Sequence, residues 1–212
     1  MNTQLNLPHL YPILDAELIA ERNISLPCVA SELRAAGVTL LQYRDKNGSP
    51  QEILRACAVL RKAFSSSPCR LILNDRADLA VLANFDGVHV GQGDLSPADA
   101  RRVVGPDRIV GVSTHTPEQA RIADQSSADY IAIGPVFATG TKPDASPVVG
   151  LDGVRRARSL TTKPLVAIGG ITRANARSVI DAGADSIAVI SSLFAPNESF
   201  EQVARDFLAR LR

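Results

Sequence analysis

Aromatic residues make up only 4% of this 212-residue chain, and nowhere do five like charges follow one another. A nucleic-acid surface needs a basic stripe or stacking platforms. A net charge of +1 with so few rings points to small-molecule partners and away from nucleic acid. No apolar stretch approaches the roughly 18 residues of a membrane span. The N-terminal MNTQLNLPHLYPIL also has no basic region followed by a cleavable apolar one, so no membrane association is expected and the chain is placed in the cytoplasm. Its three cysteines, Cys28, Cys57 and Cys69, are odd in number and show no C-x-x-C spacing. That suggests neither a disulfide framework nor a zinc site, and the residues read as small apolar fillers. There is no shift of composition that would mark a linker, so one domain is expected over residues 1–212.

What is present is a soluble, globular composition, 45% hydrophobic, laid out in a repeat. Short aliphatic runs occur at 10–14, 39–43, 70–74, 87–90, 109–113, 130–134, 164–168 and 186–190. Apolar on successive positions, they read as parallel strands buried on both faces. Segments with helical spacing follow, among them 25–37, 49–64, 96–104, 116–127, 151–160, 172–183 and 199–212. Several open on Ser or Thr followed by Pro, an N-cap and first-turn signature. Eight strand-and-helix units in one chain predict a closed (β/α)8 TIM barrel in preference to an open doubly wound sheet. Such barrels build their sites at the C-terminal strand ends, which sorts the polar residues.

After the second run, Gln42, Arg44 and Lys46 alternate, so an extended backbone turns all three to one side. Two cations there imply an anion, the alternative being a solvated charged turn around Asp45. Asn74 and Asp75 end the third run and Gln92 and Asp94 follow the fourth. Asp75 and Asp78 are equally suited to capping the next helix. As neighbours on adjacent loops, Asp75 and Asp94 are placed as two carboxylates need to be to hold a hard cation such as Mg2+. The fifth run ends in Ser113, Thr114 and His115. The sixth leads into GPVFATGTKPDASPVVG, residues 134–150, whose prolines and glycines make it a long loop carrying Thr139, Thr141 and Lys142, either a linker or a working lid. Gly169 and Gly170 after the seventh run and Ile190, Ser191 and Ser192 after the eighth form either a tight left-handed turn or a backbone cradle for a phosphate. Two anion sites are thereby implied. One is a monophosphate cradle; the other has enough positive charge, from Arg44, Lys46, Lys142 and a cation, for a pyrophosphate. Together they suggest the joining of two phosphorylated substrates with pyrophosphate as leaving group.

The ordered set Y-x-I-x-D, Q-x-R-x-K, N-D-R-x-D, D-G-V-H-x-G-Q, G-V-S-x-H-T, G-P-V-F-x-T-x-T-K, A-I-G-G-I and V-I-S, running from residue 11 to residue 192, resembles the thiamine phosphate synthase family. The resemblance implies that an aminopyrimidine methyl diphosphate loses pyrophosphate dissociatively and is attacked by the nitrogen of a thiazole phosphate. It further implies that Gln42, Arg44, Lys46 and Asn74 bind the diphosphate substrate, and that Asp75 and Asp94 hold Mg2+. Ser113 would lie beside the pyrimidine amine and the leaving group, and Lys142 on the pyrophosphate, on a loop that closes as a lid. Thr139 and Thr141 would grip the thiazole phosphate, with backbone amides and a hydroxyl from Gly170, Ile190 and Ser191. Tyr43, Asp45, Gly93 and Gly140 depart from the commonest form of these motifs, and Gly93 makes the metal loop less acidic.

Other readings of the same residues are a thiazole tautomerase of the same fold, a non-catalytic phosphate-binding barrel, and a phosphosugar epimerase. The first has little use for a diphosphate clamp, and Pro135 stands where some tautomerases carry a histidine. The second would bind without Mg2+, and the third would want acid-base groups inside the barrel. His89 and His115 are expected to be packed or supporting, and His9 to be solvated. Barrel helices with exposed apolar residues dimerise variably, so a homo-oligomer stays open.

Overall fold

The structure is a computed structural model that describes residues 5–140 and 147–212. Eight parallel strands close into a barrel in chain order: β1 (Leu10–Asp15), β2 (Leu40–Arg44), β3 (Arg70–Asn74), β4 (Gly87–Val90), β5 (Ile109–Thr114), β6 (Tyr130–Ile133), β7 (Leu165–Ile168) and β8 (Ser186–Val189). Closure is made by β1 pairing with β8 on one side and β2 on the other. The TIM barrel expected from the eight aliphatic runs is therefore the fold. Among the described residues no helix is long and apolar enough to cross a membrane.

The strands lack a polar face because both faces are covered. Tyr11, Ile13, Leu40, Ile72, Tyr130, Ala132, Val166 and Ala188 fill the barrel. Their outward neighbours, such as Leu41, Leu71, Val110 and Leu165, pack against the helices in a larger core. Interior space is allotted by residue size. A Cβ on Gly111 would lie 2.0 Å from the ring of Tyr130, so the glycine is what admits that ring to the axis.

The Ser-Pro and Thr-Pro pairs do start helices. In α3 (Pro50–Ala63) Ser49 and Glu52 form a reciprocal capping box. Ser96 and Thr116 accept from the amides of Asp99 and Gln119 at the starts of α5 (Pro97–Val104) and α6 (Pro117–Asp124). Two six-residue helices fall outside the segments with recognisable spacing: α1 (Ala16–Glu21), capped by Asp15, and α4 (Ala77–Leu82). Each is too short to show a helical period. The remaining helices are α2 (Leu26–Ala35), α7 (Gly150–Leu160), α8 (Ala176–Asp181) and α9 (Phe200–Arg210).

The N-terminal end of the barrel is tied by a repeated device. Asp86, Asp129 and Asp185 immediately precede β4, β6 and β8. Each carboxylate accepts the amide of a residue starting the preceding strand, Leu71, Val110 and Leu165, at 2.7 Å. Asp129 and Asp185 are also ion-paired, with Arg101 and Arg158. This end is stitched for stability, leaving the opposite rim to carry function.

Candidate active site

At the C-terminal rim, the alternation along β2 turns Gln42 and Arg44 inward beside β1. Register pairs Asp15 with Arg44, and the two form an ion pair with side chains only 4% and 15% exposed. Asp45 points the other way. Its carboxylate accepts the amides of Asn47 and Gly48 at 3.2 and 2.7 Å, which fixes the turn and keeps this acid away from Arg44. The charged-turn reading thus describes Asp45, while Arg44 and Lys46 face the rim.

Lys46 is ion-paired with Asp75. The backbone at Asp75 is left-handed, with φ of 62°, and its amide donates to the carbonyl of His89 at 2.7 Å. A non-glycine residue is held there at a cost of about 1 kcal/mol, a local strain of the kind that collects at functional sites. It brings the Asp75 carboxyl into a hydrogen bond with that of Asp94. Burial, which Lys46 opposes and Asp94 reinforces, pushes Asp75 above the usual carboxylate range. Burial also works against the charge of Asp94, but the hydrogen bond from Asp75 and the amide of Gly91, 2.8 Å away, outweigh it and hold Asp94 low. Two carboxyl groups this close share a proton, which a divalent cation would replace. Among the described residues no three His, Cys, Asp or Glu side chains cluster as a metal cage. The two carboxylates of Asp75 and Asp94 by themselves fit an ion that takes few protein ligands and completes its shell with water and phosphate oxygens, the habit of Mg2+.

Asn74 is 9% exposed, and its side-chain nitrogen has no hydrogen-bond partner among the described residues. An orphaned buried donor costs roughly 1–3 kcal/mol, recovered when a ligand accepts from it. Ser113 is 2.8 Å from His89 Nε2, and its carbonyl accepts from Gln92 at 2.6 Å. His89 is packed. His115 is half-buried, its Nδ1 donating to the carbonyl of Gly134 at 2.6 Å. His9 is exposed, as expected, with Nδ1 3.1 Å from the carbonyl of Asp185.

The base of the long loop is clamped. Val136 and Phe137 donate to Ile168 and Gly169, while Val149 and Gly150 donate back to Pro135 and Val136. This close crossing explains Gly169 and Gly170, whose φ angles are 100° and 64°. A Cβ on the first would meet Pro135 at 2.5 Å and on the second the carbonyl of Ala138 at 2.6 Å. The left-handed turn is real, and the same glycines line the cavity. Ser192 ties the seventh and eighth loops by donating to Ile171 at 2.6 Å.

These residues enclose a cavity with two lobes. The charged lobe, of about 430 Å3, is lined by Gln42, Arg44, Lys46, Asn74, Asp75, Asp94 and Ser113. The other, of about 1010 Å3 including its open mouth, is walled by apolar residues and has Thr139, Gly170, Ile190, Ser191 and Ser192 on its lining. Gln42, His89, Ser113, Ile13, Ile168 and Ile190 belong to both. Every site residue expected from the sequence lines one lobe or the other, except Thr141 and Lys142, which lie outside the described residues. Sequence reasoning missed Tyr11, which is part of this wall, and Asp15, which pairs with Arg44. The Y-x-I-x-D alternation, with the same inward parity as Gln42 and Arg44, was the available signal.

The family model described as thiamine monophosphate synthase matches residues 10–193. The chain belongs to this family. It is accordingly an enzyme. The thiamine-phosphate synthase of Koribacter versatilis is 58% identical over 195 residues, 91% of this chain and 92% of that protein. That of Chloroflexus aurantiacus is 43% identical over 89% of this chain and 86% of its own length. A solved structure, the thiamine phosphate pyrophosphorylase from Pyrococcus furiosus, superimposes with a TM-score of 0.83 at 32% identity, covering 95% of this chain and 94% of that one.

Proposed function

We propose that this family member condenses an aminopyrimidine methyl diphosphate with a thiazole phosphate, giving thiamine phosphate and pyrophosphate. The observation that carries this reading is the cavity of two lobes that share a wall, one charged and flanked by a carboxyl pair, the other apolar with a Gly-Gly turn and serines at its lining. A tautomerase would have no use for the first lobe. In this reading Gln42, Arg44, Lys46 and Asn74 hold the diphosphate, with the Asn74 amide donating to a substrate acceptor. Asp75 and Asp94 would hold Mg2+, which when bound supplies positive charge to the leaving group. Thr139, Gly170, Ile190 and Ser191 seat the thiazole phosphate, and Thr141 and Lys142 complete the site from the long loop.

The chain's own work is electrostatic and positional. Arg44 and Lys46 oppose the charge that grows on the departing pyrophosphate, and Ser113, on the shared wall, sits where the two substrates meet. The barrel over 1–212 acts as a single catalytic domain in the cytoplasm on small molecules. The deciding assay follows pyrophosphate release with both substrates, with each alone, and with and without Mg2+, beside Asp94→Asn. Release that needs both substrates and the metal, and falls at least a hundredfold in the variant, is the expected result. Tight thiazole phosphate binding without any release would overturn it.

A further inference from the structure

A hydrogen-bond file links residues of β2, β1, β6, β4 and β5 inside the barrel, and the reaction as described makes no use of most of it. Gln42 Nε2 donates to Tyr11 Oη at 2.9 Å. Tyr11 Oη and Tyr130 Oη are 3.0 Å apart, and Tyr130 Oη is 2.9 Å from His89 Nδ1. His89 Nε2 is then 2.8 Å from Ser113 Oγ. Gln42, Tyr11, Tyr130 and His89 are all buried, and the Tyr130 and His89 rings stack with centroids 5.5 Å apart.

Each phenol has a single proton to give. Burial pushes both phenols well above their ordinary pKa, so both protons stay in place. A phenol oxygen can accept twice, but both buried protons find acceptors within the file only if its bonds all point the same way. The Tyr11 oxygen takes the N–H of Gln42, so its own proton goes to Tyr130. The Tyr130 proton then goes to His89 Nδ1. A neutral imidazole that accepts at Nδ1 carries its proton on Nε2, and that proton goes to Ser113 Oγ. The hydroxyl hydrogen of Ser113 is what remains, and Ser113 lines the cavity, where a ligand could accept it. Turning the Gln42 amide over would reverse every bond and make Ser113 an acceptor.

We infer that this file fixes the polarity of Ser113, with Tyr11, Tyr130 and His89 as positioning residues that oblige its hydroxyl to donate to the substrate. The inference rests on the reading of the cavity as the site of condensation. There the acceptor is an anionic oxygen of the diphosphate, and the bond strengthens as charge collects on the leaving group. No covalent bond forms to Ser113, and no proton changes owner along the file.

The test is the nitrogen spectrum of 15N-histidine-labelled protein without substrates, with the His89 signals assigned by their loss in His89→Gln. A bare Nδ1 and a protonated Nε2 are expected. A ring protonated at Nδ1, or at both nitrogens, would overturn the file. In kinetics, Tyr130→Phe keeps the ring and removes the donor. It should lower kcat about tenfold while leaving KM for each substrate within about twofold. In a Ser113→Ala background the same change should cost nothing, and an equal loss in both backgrounds overturns the coupling. The two readings fail separately. An Nε2 tautomer in a protein without synthase activity refutes the substrate assignment alone, and an Nδ1 tautomer in an active enzyme refutes the file alone.

Discussion

Arg44 does two jobs, and they can be separated by mutation. It lines the charged lobe and it neutralises Asp15, whose side chain is 4% exposed. Breaking a buried pair leaves an uncompensated charge and costs about 3 kcal/mol, whereas removing both partners costs much less. Arg44→Gln should therefore lower unfolding free energy in urea by about 3 kcal/mol, and adding Asp15→Asn should restore most of it without restoring activity. Simple additivity of the two changes would show that the pair is not coupled. A second contrast concerns the Asp75 and Asp94 pair. Asp75 titrates above its unfolded value, so the stability linked to it is present in acid and lost as pH rises through the raised value. Asp94, held low, contributes stability at higher pH that is lost as pH falls through its lowered value. Above both, two charges lie side by side, and a divalent cation would relieve them. The rise in Tm given by Mg2+ should grow with pH between the ordinary carboxylate range, about 3.9, and the raised value of Asp75, then level off. Asp75→Asn should abolish that rise while leaving the metal-free protein at least as stable at neutral pH. A Tm increment that ignores pH, or survives the substitution, would remove these carboxylates from the metal site.

At the scale of elements, the repeated aspartates before β4, β6 and β8 predict where stability and activity part company. Asp129 accepts from the Val110 amide and pairs with Arg101, at the end of the barrel away from the cavity. Asp129→Ala should cost about 1–2 kcal/mol in denaturant unfolding, the worth of a charge-assisted hydrogen bond discounted for partial exposure, with KM unchanged. A change in KM would mean that the two ends of the barrel communicate. This division was partly legible beforehand. The strand runs showed because parallel strands are apolar on both faces, and the capped helices showed because Ser-Pro and Thr-Pro act locally. The rim residues could be picked out because a barrel confines function to one end. What did not show depends on partners distant in sequence. Nothing near Tyr130 announces that Gly111, on the neighbouring strand, clears space for its ring, nor that the ring bridges Tyr11 to His89. Gly169 and Gly170 likewise looked like either a turn or a cradle until the loop at 134–138 was seen to cross them.

For the whole molecule, the question is whether the two lobes act as independent anion sites within one cavity. Their distinctive linings differ, acids and cations in one, Gly170, Ser191 and Ser192 in the other, and only the central wall is common. A ligand that binds only the folded state raises Tm by mass action, and ligands at separate sites add their effects. Pyrophosphate should thus raise Tm only when Mg2+ is present, since its charge needs the cation as well as Arg44 and Lys46. Inorganic phosphate should raise Tm without Mg2+, and the two increments should sum when both ligands are added. Asp94→Asn should remove the pyrophosphate increment and spare that of phosphate, while Ser191→Ala should do the reverse. Competition between the two ligands, or loss of both increments in either variant, would mean a single anion site. A barrel with one such site could bind or isomerise a phosphate ester, but it could not hold a leaving pyrophosphate and an incoming phosphate at the same moment.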